Sequence, residues 1–162
     1  ALKEVTKKIK QIKLILVGEG SQLKEYKNLV VSLGLTEHVE FKGWLDAREI
    51  QNLTTQSDLG LFPSRIESFG LSVIEAMAAG LPVIAANGGA VPENIKDGVT
   101  GTLIPVHDSN ALAKAIISAL ENPKYIRNLA ETAKKQVREK FSWDKTADSM
   151  IDIYTSVLRD SA

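Results

Sequence analysis

An α/β fold built on a parallel sheet is predicted by three observations. Short apolar runs alternate with helical patterns along the chain, the signature of strands joined by crossover helices. Residues 58–87 hold a complete unit of this kind, strand–loop–helix–strand, with ligands expected where its strands end. At 162 residues and 44% hydrophobic, the chain has the length of one domain and enough apolar side chains for a sizeable core.

Each element follows from local signals. Residues 1–11 form a helix with Leu2, Val5 and Ile9 on one stripe and Lys3, Lys7, Lys8 and Lys10 around it. That pattern suits a packed helix with a solvated lysine face or a helix lying on a membrane surface. A strand over 12–17 ends in Gly18-Glu19-Gly20. Ser21 or Gln22 opens a helix to Leu33, which Gly34 stops. A strand over 39–44 and a helix over 47–57 come next. The run at 59–62 is a buried strand ended by Pro63. Ser68 is the expected cap of the following helix and Gly80 its stop. Pro82 starts the strand at 83–86. Pro92 suits a first helical position and Gly98 a helix stop. The last strand covers 100–105. Asp108 or Ser109 caps a helix carrying Leu112, Ile116 and Leu120, and another helix covers 123–140. Ser142 caps a final helix with Trp143, Ala147, Met150, Ile151, Tyr154 and Leu158 on one face.

The helix after residue 68 carries the chemistry. Phe69, Leu71, Val73, Ile74 and Met77 with three alanines surround a single charge, Glu75. A helix apolar nearly all round is a buried one, and its lone carboxylate must be paired or face a polar cavity. Glu67 stands just ahead of the helix. Free N–H groups of Phe69, Gly70 and Leu71 at the helix start can meet an anion, and a glycine there lets phosphate approach the backbone. Amide donors and two carboxylates near one helix start suit a ligand with phosphate and hydroxyl groups, such as a sugar nucleotide. The plainer reading has Glu67 complementing the helix dipole and Glu75 pairing with a lysine or backbone group.

The segment PSRIESFGLSVIEAMAAG at 63–80 resembles the retaining sugar-nucleotide glycosyltransferases with two facing Rossmann-like domains, the GT-B type of group 1 and family 4. Their signature is two glutamates separated by seven residues, here Glu67 and Glu75, then an A-x-G-x-P-V-I element, here at 78–84. Asn87-Gly88-Gly89, Val91-Pro92-Glu93 and the DGVTG at 97–101 match the loops that follow. The likeness spans about residues 12–157. It implies a three-layer αβα parallel sheet and the C-terminal, donor-binding half of such an enzyme. Glu67 is then the catalytic carboxylate, at the donor sugar. Glu75 accepts from ribose hydroxyls. Ser68, Phe69, Gly70 and Leu71 hold the diphosphate, Gly18 lines the donor cleft, and the backbone at Trp44 and Leu45 meets the base. A competing reading buries Trp44 in the core. The donor is a nucleoside-diphosphate sugar, with no cofactor and no metal; no metal-ligand spacing occurs.

The resembling domains start with a further strand, a Gly-Arg and a Lys-Gly element, which hold the diphosphate. This chain is expected to begin after them, without the N-terminal acceptor domain. About five of the usual six strands are then present, in the order 3-2-1-4-5-6 with the first, central one missing. The strands near Ile12 and Leu59 must pair with each other or recruit another chain, oligomers through bare edges included. Losing two cationic partners costs roughly 1.5–3 kcal/mol each, so transfer by the 162 residues alone is expected to be undetectable. The resemblance further implies a cytoplasmic location, at the inner face of a membrane through the intact enzyme.

Lys plus Arg and Asp plus Glu both total 20, a formal charge of zero, which argues against a nucleic-acid partner. The absence of cysteine removes disulfides and thiol chemistry and allows a reducing compartment. His38 and His107 lack ligand-spaced neighbours. No run is long and apolar enough to span a bilayer, and no signal-peptide pattern occurs in these residues. Other readings are a GT-B epimerase or glycogen-synthase-like enzyme, a non-catalytic nucleotide-sugar-binding or assembly module, and a receiver or NAD domain. The last lacks both an acidic cluster and a complete glycine fingerprint, since Gly18-x-Gly20 has no third glycine.

Overall fold

The structure, a computed structural model, describes residues 1–160. Its elements run α1 (Leu2–Lys8), β1 (Leu14–Val17), α2 (Leu23–Ser32), β2 (Val39–Gly43), α3 (Ala47–Gln56), β3 (Gly60–Phe62), α4 (Leu71–Ala79), β4 (Val83–Ala86), α5 (Val91–Asn94), β5 (Thr102–Ile104), α6 (Ser109–Glu121), α7 (Pro123–Lys140) and α8 (Trp143–Asp160). A single turn of 3₁₀ helix precedes β2. The expected alternation is present, and α7 has its expected bounds.

All pairing is parallel, but it is divided. β1 pairs with β2, and β3–β4–β5 form a separate sheet with β4 in the middle. Direct pairing between the edges near Ile12 and Leu59, one of the two sequence expectations, does not occur. Among the described residues, β1 and β3 each keep one edge without a ladder partner. Val17 and the half-buried residues 14–16 leave β1 within reach of water, which satisfies backbone groups that an enclosed edge would leave unpaired.

β4 shows how the sheet organises the core. All four of its residues are buried. Successive side chains of a strand point to opposite faces. Val83 and Ala85 join Val73, Ile74, Met77, Leu81, Val91, Ala133 and Val137 on the side of α4 and α7. Ile84 and Ala86 join Val5, Ile104, Ala113 and Ile116 on the side of α1 and α6. Helices therefore cover both faces of the β3–β4–β5 sheet, giving the three layers that the sequence predicts. Val5, fully buried, anchors α1 by its apolar stripe, so α1 is a packed helix.

Caps set several boundaries. The Asp46 side chain accepts from the Glu49 amide while the Glu49 carboxylate accepts from the Asp46 amide, a reciprocal capping box at α3. Asp108 rather than Ser109 caps α6, accepting from the Ala111 amide at 2.8 Å. Ser142 caps α8 through Oγ, which accepts from the Lys145 amide at 3.2 Å. Gln22 stands at the N-cap of α2 but gives no side-chain bond. Trp143, Met150, Ile151, Tyr154 and Leu158 of α8 are exposed, so this apolar face stays uncovered. Among the described residues, no helix is long and apolar enough to cross a membrane.

Candidate functional site

The site is a loop laid between a strand end and a helix start. Pro63 ends β3 and the chain runs through Arg65, Glu67 and Ser68 to Gly70, the N-cap of α4. Gly70 has φ +78°, in the left-handed region where a Cβ is strained, and it is buried. Ser68 does not cap α4: the helix starts two residues later than Ser68 requires, and no side chain bonds to its first amides. The left-handed turn at Gly70 carries Ser68 out to solvent. That leaves the start of α4 more open than the sequence reading implies. Among the described residues no acceptor takes the amides of Phe69, Gly70 or Leu71. These N–H groups, with the helix dipole behind them, form a donor set for an anion.

The two glutamates are both available. Glu67 is half-buried, and its carboxylate has no ion pair or hydrogen bond among the described residues. Glu75 is exposed and equally unpaired, so the reading that locked it to a lysine does not hold. α4 is also not buried all round. Val73, Ile74, Ala76 and Met77 face the core, while Leu71, Ser72, Glu75 and Ala79 form one exposed stripe. Positions four apart lie on one face of a helix, so Glu75 stands one turn behind Leu71 on the open side. Arg65 is exposed and makes no ion pair among the described residues.

Leu71, Ser72, Glu75 and Ala79 give this side an exposed surface. Shallow depressions of about 480 and 520 Å³ lie at the α6–α7 corner around Tyr125 and beside Asn87 and Val106. Neither includes Glu67, Gly70 or Glu75.

A second group gathers at the end of the β1–β2 sheet. Gly18, φ +120°, donates its amide to the Gly43 carbonyl at 2.7 Å, extending the ladder beyond β1. Trp44 follows directly and is 71% exposed, which removes the reading that buries it in the core; Leu45 is half-buried. Strand ends thus supply both groups: Glu67 to Leu71 after β3, and Gly18, Trp44 and Leu45 after β1 and β2. No hydrogen bond or ion pair joins the two groups among the described residues.

Asn94, which helps build the site, escapes sequence reading, and Gly88 and Gly89 enter it only as part of a matching loop. Gly88 and Gly89 look like a flexible turn, yet they are points of close approach. A Cβ at Gly88 would lie 2.3 Å from the Arg65 carbonyl oxygen, and one at Gly89 2.2 Å from that of Glu67. The next amide, Ala90, donates to the same Glu67 carbonyl at 2.8 Å. Asn94, 5% exposed, donates from Nδ2 to the Phe69 carbonyl at 2.6 Å. The β4–α5 segment therefore clamps the β3–α4 loop from below. The paired glycines were the available signal, but their partner lies more than twenty residues earlier in the chain. Phe141 packs edge-on against Phe69, with ring centroids 5.9 Å apart, and ties the loop to the end of α7.

Known proteins share this fold. The family described as Glycosyl transferases group 1 matches residues 1–136. N-acetyl-alpha-D-glucosaminyl L-malate synthase of Bacillus anthracis is 39% identical over 148 residues, covering 91% of this chain and 38% of that protein. The chain thus spans well under half the length of this curated relative. The structure of HepE from Anabaena in complex with UDP superposes with a TM-score of 0.88 at 27% identity, covering 96% of this chain and 44% of that one. The C-terminal domain of LpcC, a glycosyl transferase group 1 family protein of Francisella tularensis, superposes at 0.78 and 28% identity, covering 88% of this chain and 78% of that domain. With its strand-end loops, its pair of glutamates and a family match over most of its length, this chain belongs to the glycosyl transferases of group 1.

Proposed function

We propose that this chain is the donor-binding half of a retaining glycosyltransferase that moves a sugar from a nucleoside diphosphate to an acceptor. One observation carries the reading: free amides at Phe69–Leu71 stand beside two unpaired carboxylates, in a fold that superposes on a UDP complex. The chemical task is to support a departing diphosphate while positive charge develops at the sugar carbon. Fixed backbone donors suit it because they need no reorganisation as charge grows. The amides of Phe69, Gly70 and Leu71 take the diphosphate, with Ser68 beside them. Glu75 accepts from the ribose hydroxyls, one turn along α4. Glu67 accepts from hydroxyls of the donor sugar and opposes the developing positive charge. Gly18 lines the cleft, and backbone at Trp44 and Leu45 meets the base. No resident metal is assigned a part in this scheme.

The acceptor site then belongs to a second domain N-terminal to this one, facing the open side of α4. The uncovered apolar face of α8 is a surface for that domain. Donor binding is a property of this half and transfer of the two together, which fits a cytoplasmic enzyme working on soluble or membrane-bound acceptors.

Titration of the isotope-labelled chain with UDP, followed by amide chemical shifts, tests the reading. The amides of residues 69–71 and 44–45 should move together in a saturable way, and a titration that leaves 69–71 still would remove the proposal. Glu75→Gln keeps the shape of the side chain but weakens its acceptor. UDP affinity should fall roughly 10-fold, as for a lost hydrogen bond to a charged group. UMP and inorganic diphosphate separate the parts: diphosphate, which has no ribose, should bind the variant and the wild type equally.

A further inference from the structure

Asn94 belongs to α5, yet its side chain serves the neighbouring loop. It is 5% exposed, and its Nδ2 reaches the Phe69 carbonyl at 2.6 Å, across 25 residues of chain. A buried amide side chain needs partners, and this one finds a backbone acceptor outside its own element. The backbone of Asn94 is itself held from another direction: Gln136 Nε2 of α7 donates to the Asn94 carbonyl at 3.2 Å. Lys140 Nζ, also of α7, donates to the Glu93 carbonyl at 3.1 Å. Asn94 is therefore tied to the α7 layer as well as to the loop.

The orientation of one peptide plane follows from this bond. The peptide between Phe69 and Gly70 is trans, as are all others among the described residues. In a trans planar peptide the C=O and N–H point in opposite directions. Grasping the Phe69 oxygen from the Asn94 side therefore turns the Gly70 N–H away from Asn94. The peptide needs such a hold because glycine at φ +78° tolerates many backbone angles, so its own sterics do not fix the plane. Phe69 is half exposed, and its contact with Phe141 holds the ring, a side chain free to turn about its own bonds, rather than the peptide plane. We infer that Asn94 is a positioning residue: by holding the Phe69 carbonyl it aims the Gly70 amide at the diphosphate of a bound nucleotide. The inference rests on the donor-site reading above and adds the residue that preorganises its central donor.

Two variants and one ligand test it. Asn94→Leu keeps the approximate volume and removes the donor. Asn94→Asp keeps shape and polarity and, as the carboxylate, accepts only. Each is labelled and titrated with UDP beside the wild-type chain, with amide shifts read residue by residue and the unfolding midpoint recorded separately. In the wild type the Gly70 amide should respond strongly to UDP. In both variants that response should collapse while the Trp44 amide still responds, and UDP affinity should fall roughly 10- to 100-fold. A purely structural role would lower the unfolding midpoint and leave the Gly70 response of the folded fraction intact. A Gly70 response and an affinity that both variants retain within about twofold overturn the inference alone. A wild-type chain with no UDP-induced shifts at residues 69–71 removes the donor-site reading, and this inference with it.

Discussion

Gly89→Ala is expected to destabilise the chain by about 3 kcal/mol or more and to abolish the response of the site loop to UDP. Two costs add at this position. Gly89 has φ +59°, where a side chain raises the energy by about 1–2 kcal/mol. The new Cβ would also lie 2.2 Å from the Glu67 oxygen and 2.7 Å from the Glu67 nitrogen. Both are backbone atoms, so no flexible side chain can swing away; the loop itself must lift. Lifting it breaks the Ala90 amide bond to the Glu67 carbonyl and moves Glu67 with it. Urea unfolding measures the stability, and amide shifts on adding UDP measure the loop. Gly20→Ala is the control, with nothing within 4 Å of the new Cβ and no positive φ. It should stay within about 0.5 kcal/mol of wild type. Equal unfolding midpoints for the two variants would show that the clamp does not exist.

Met77→Ala should cost about 3 kcal/mol, within the span seen for emptied core sites. Met77 is fully buried and lies among Val73, Leu81, Val83, Val91 and Val137, between α4, the sheet and α7. Its neighbours come from separate elements joined by the sheet, so they cannot close around the hole by a single side-chain rotation. α4 carries the site at its start, but Gly70 and Asn94 hold that start independently of Met77. The variant should therefore melt earlier and still bind UDP below its transition. Leu71→Ala, on the exposed stripe of the same helix, should change stability by no more than about 0.5 kcal/mol. A Met77→Ala cost near that of Leu71→Ala would mean that α4 does not pack as described.

Much of this architecture can be read from residue order. The buried strand at 83–86, the stop at Gly80, the caps at Asp108 and Ser142 and the bounds of α7 depend on neighbours within a turn or two. The order of Glu67, Glu75 and the A-x-G-x-P-V-I element identifies the family because it samples the whole crossover unit. Other points turned on backbone geometry rather than on side-chain chemistry. Ser68 has the right chemistry for a cap, but the left-handed turn at Gly70 starts the helix later. Trp44 left two readings open, a base contact and a core residue, and the end of β2 at Gly43 releases it to solvent, which removes the second. The edges of β1 and β3 were expected to meet or to find a partner, and in this chain they do not meet.

The sequence by itself determined the alternation of elements, the parallel α/β class, the family, and the loop on which amides and carboxylates gather. These are periodic or local properties, carried by residues close together in the chain. Only the tertiary structure decided that Glu75 is open and unpaired, that Gly88 and Gly89 press against residues 65 and 67, and that Asn94 grips Phe69. The last two depend on segments more than twenty residues apart meeting at atomic contact, and the first on which face of α4 the packing on the sheet and α7 leaves uncovered.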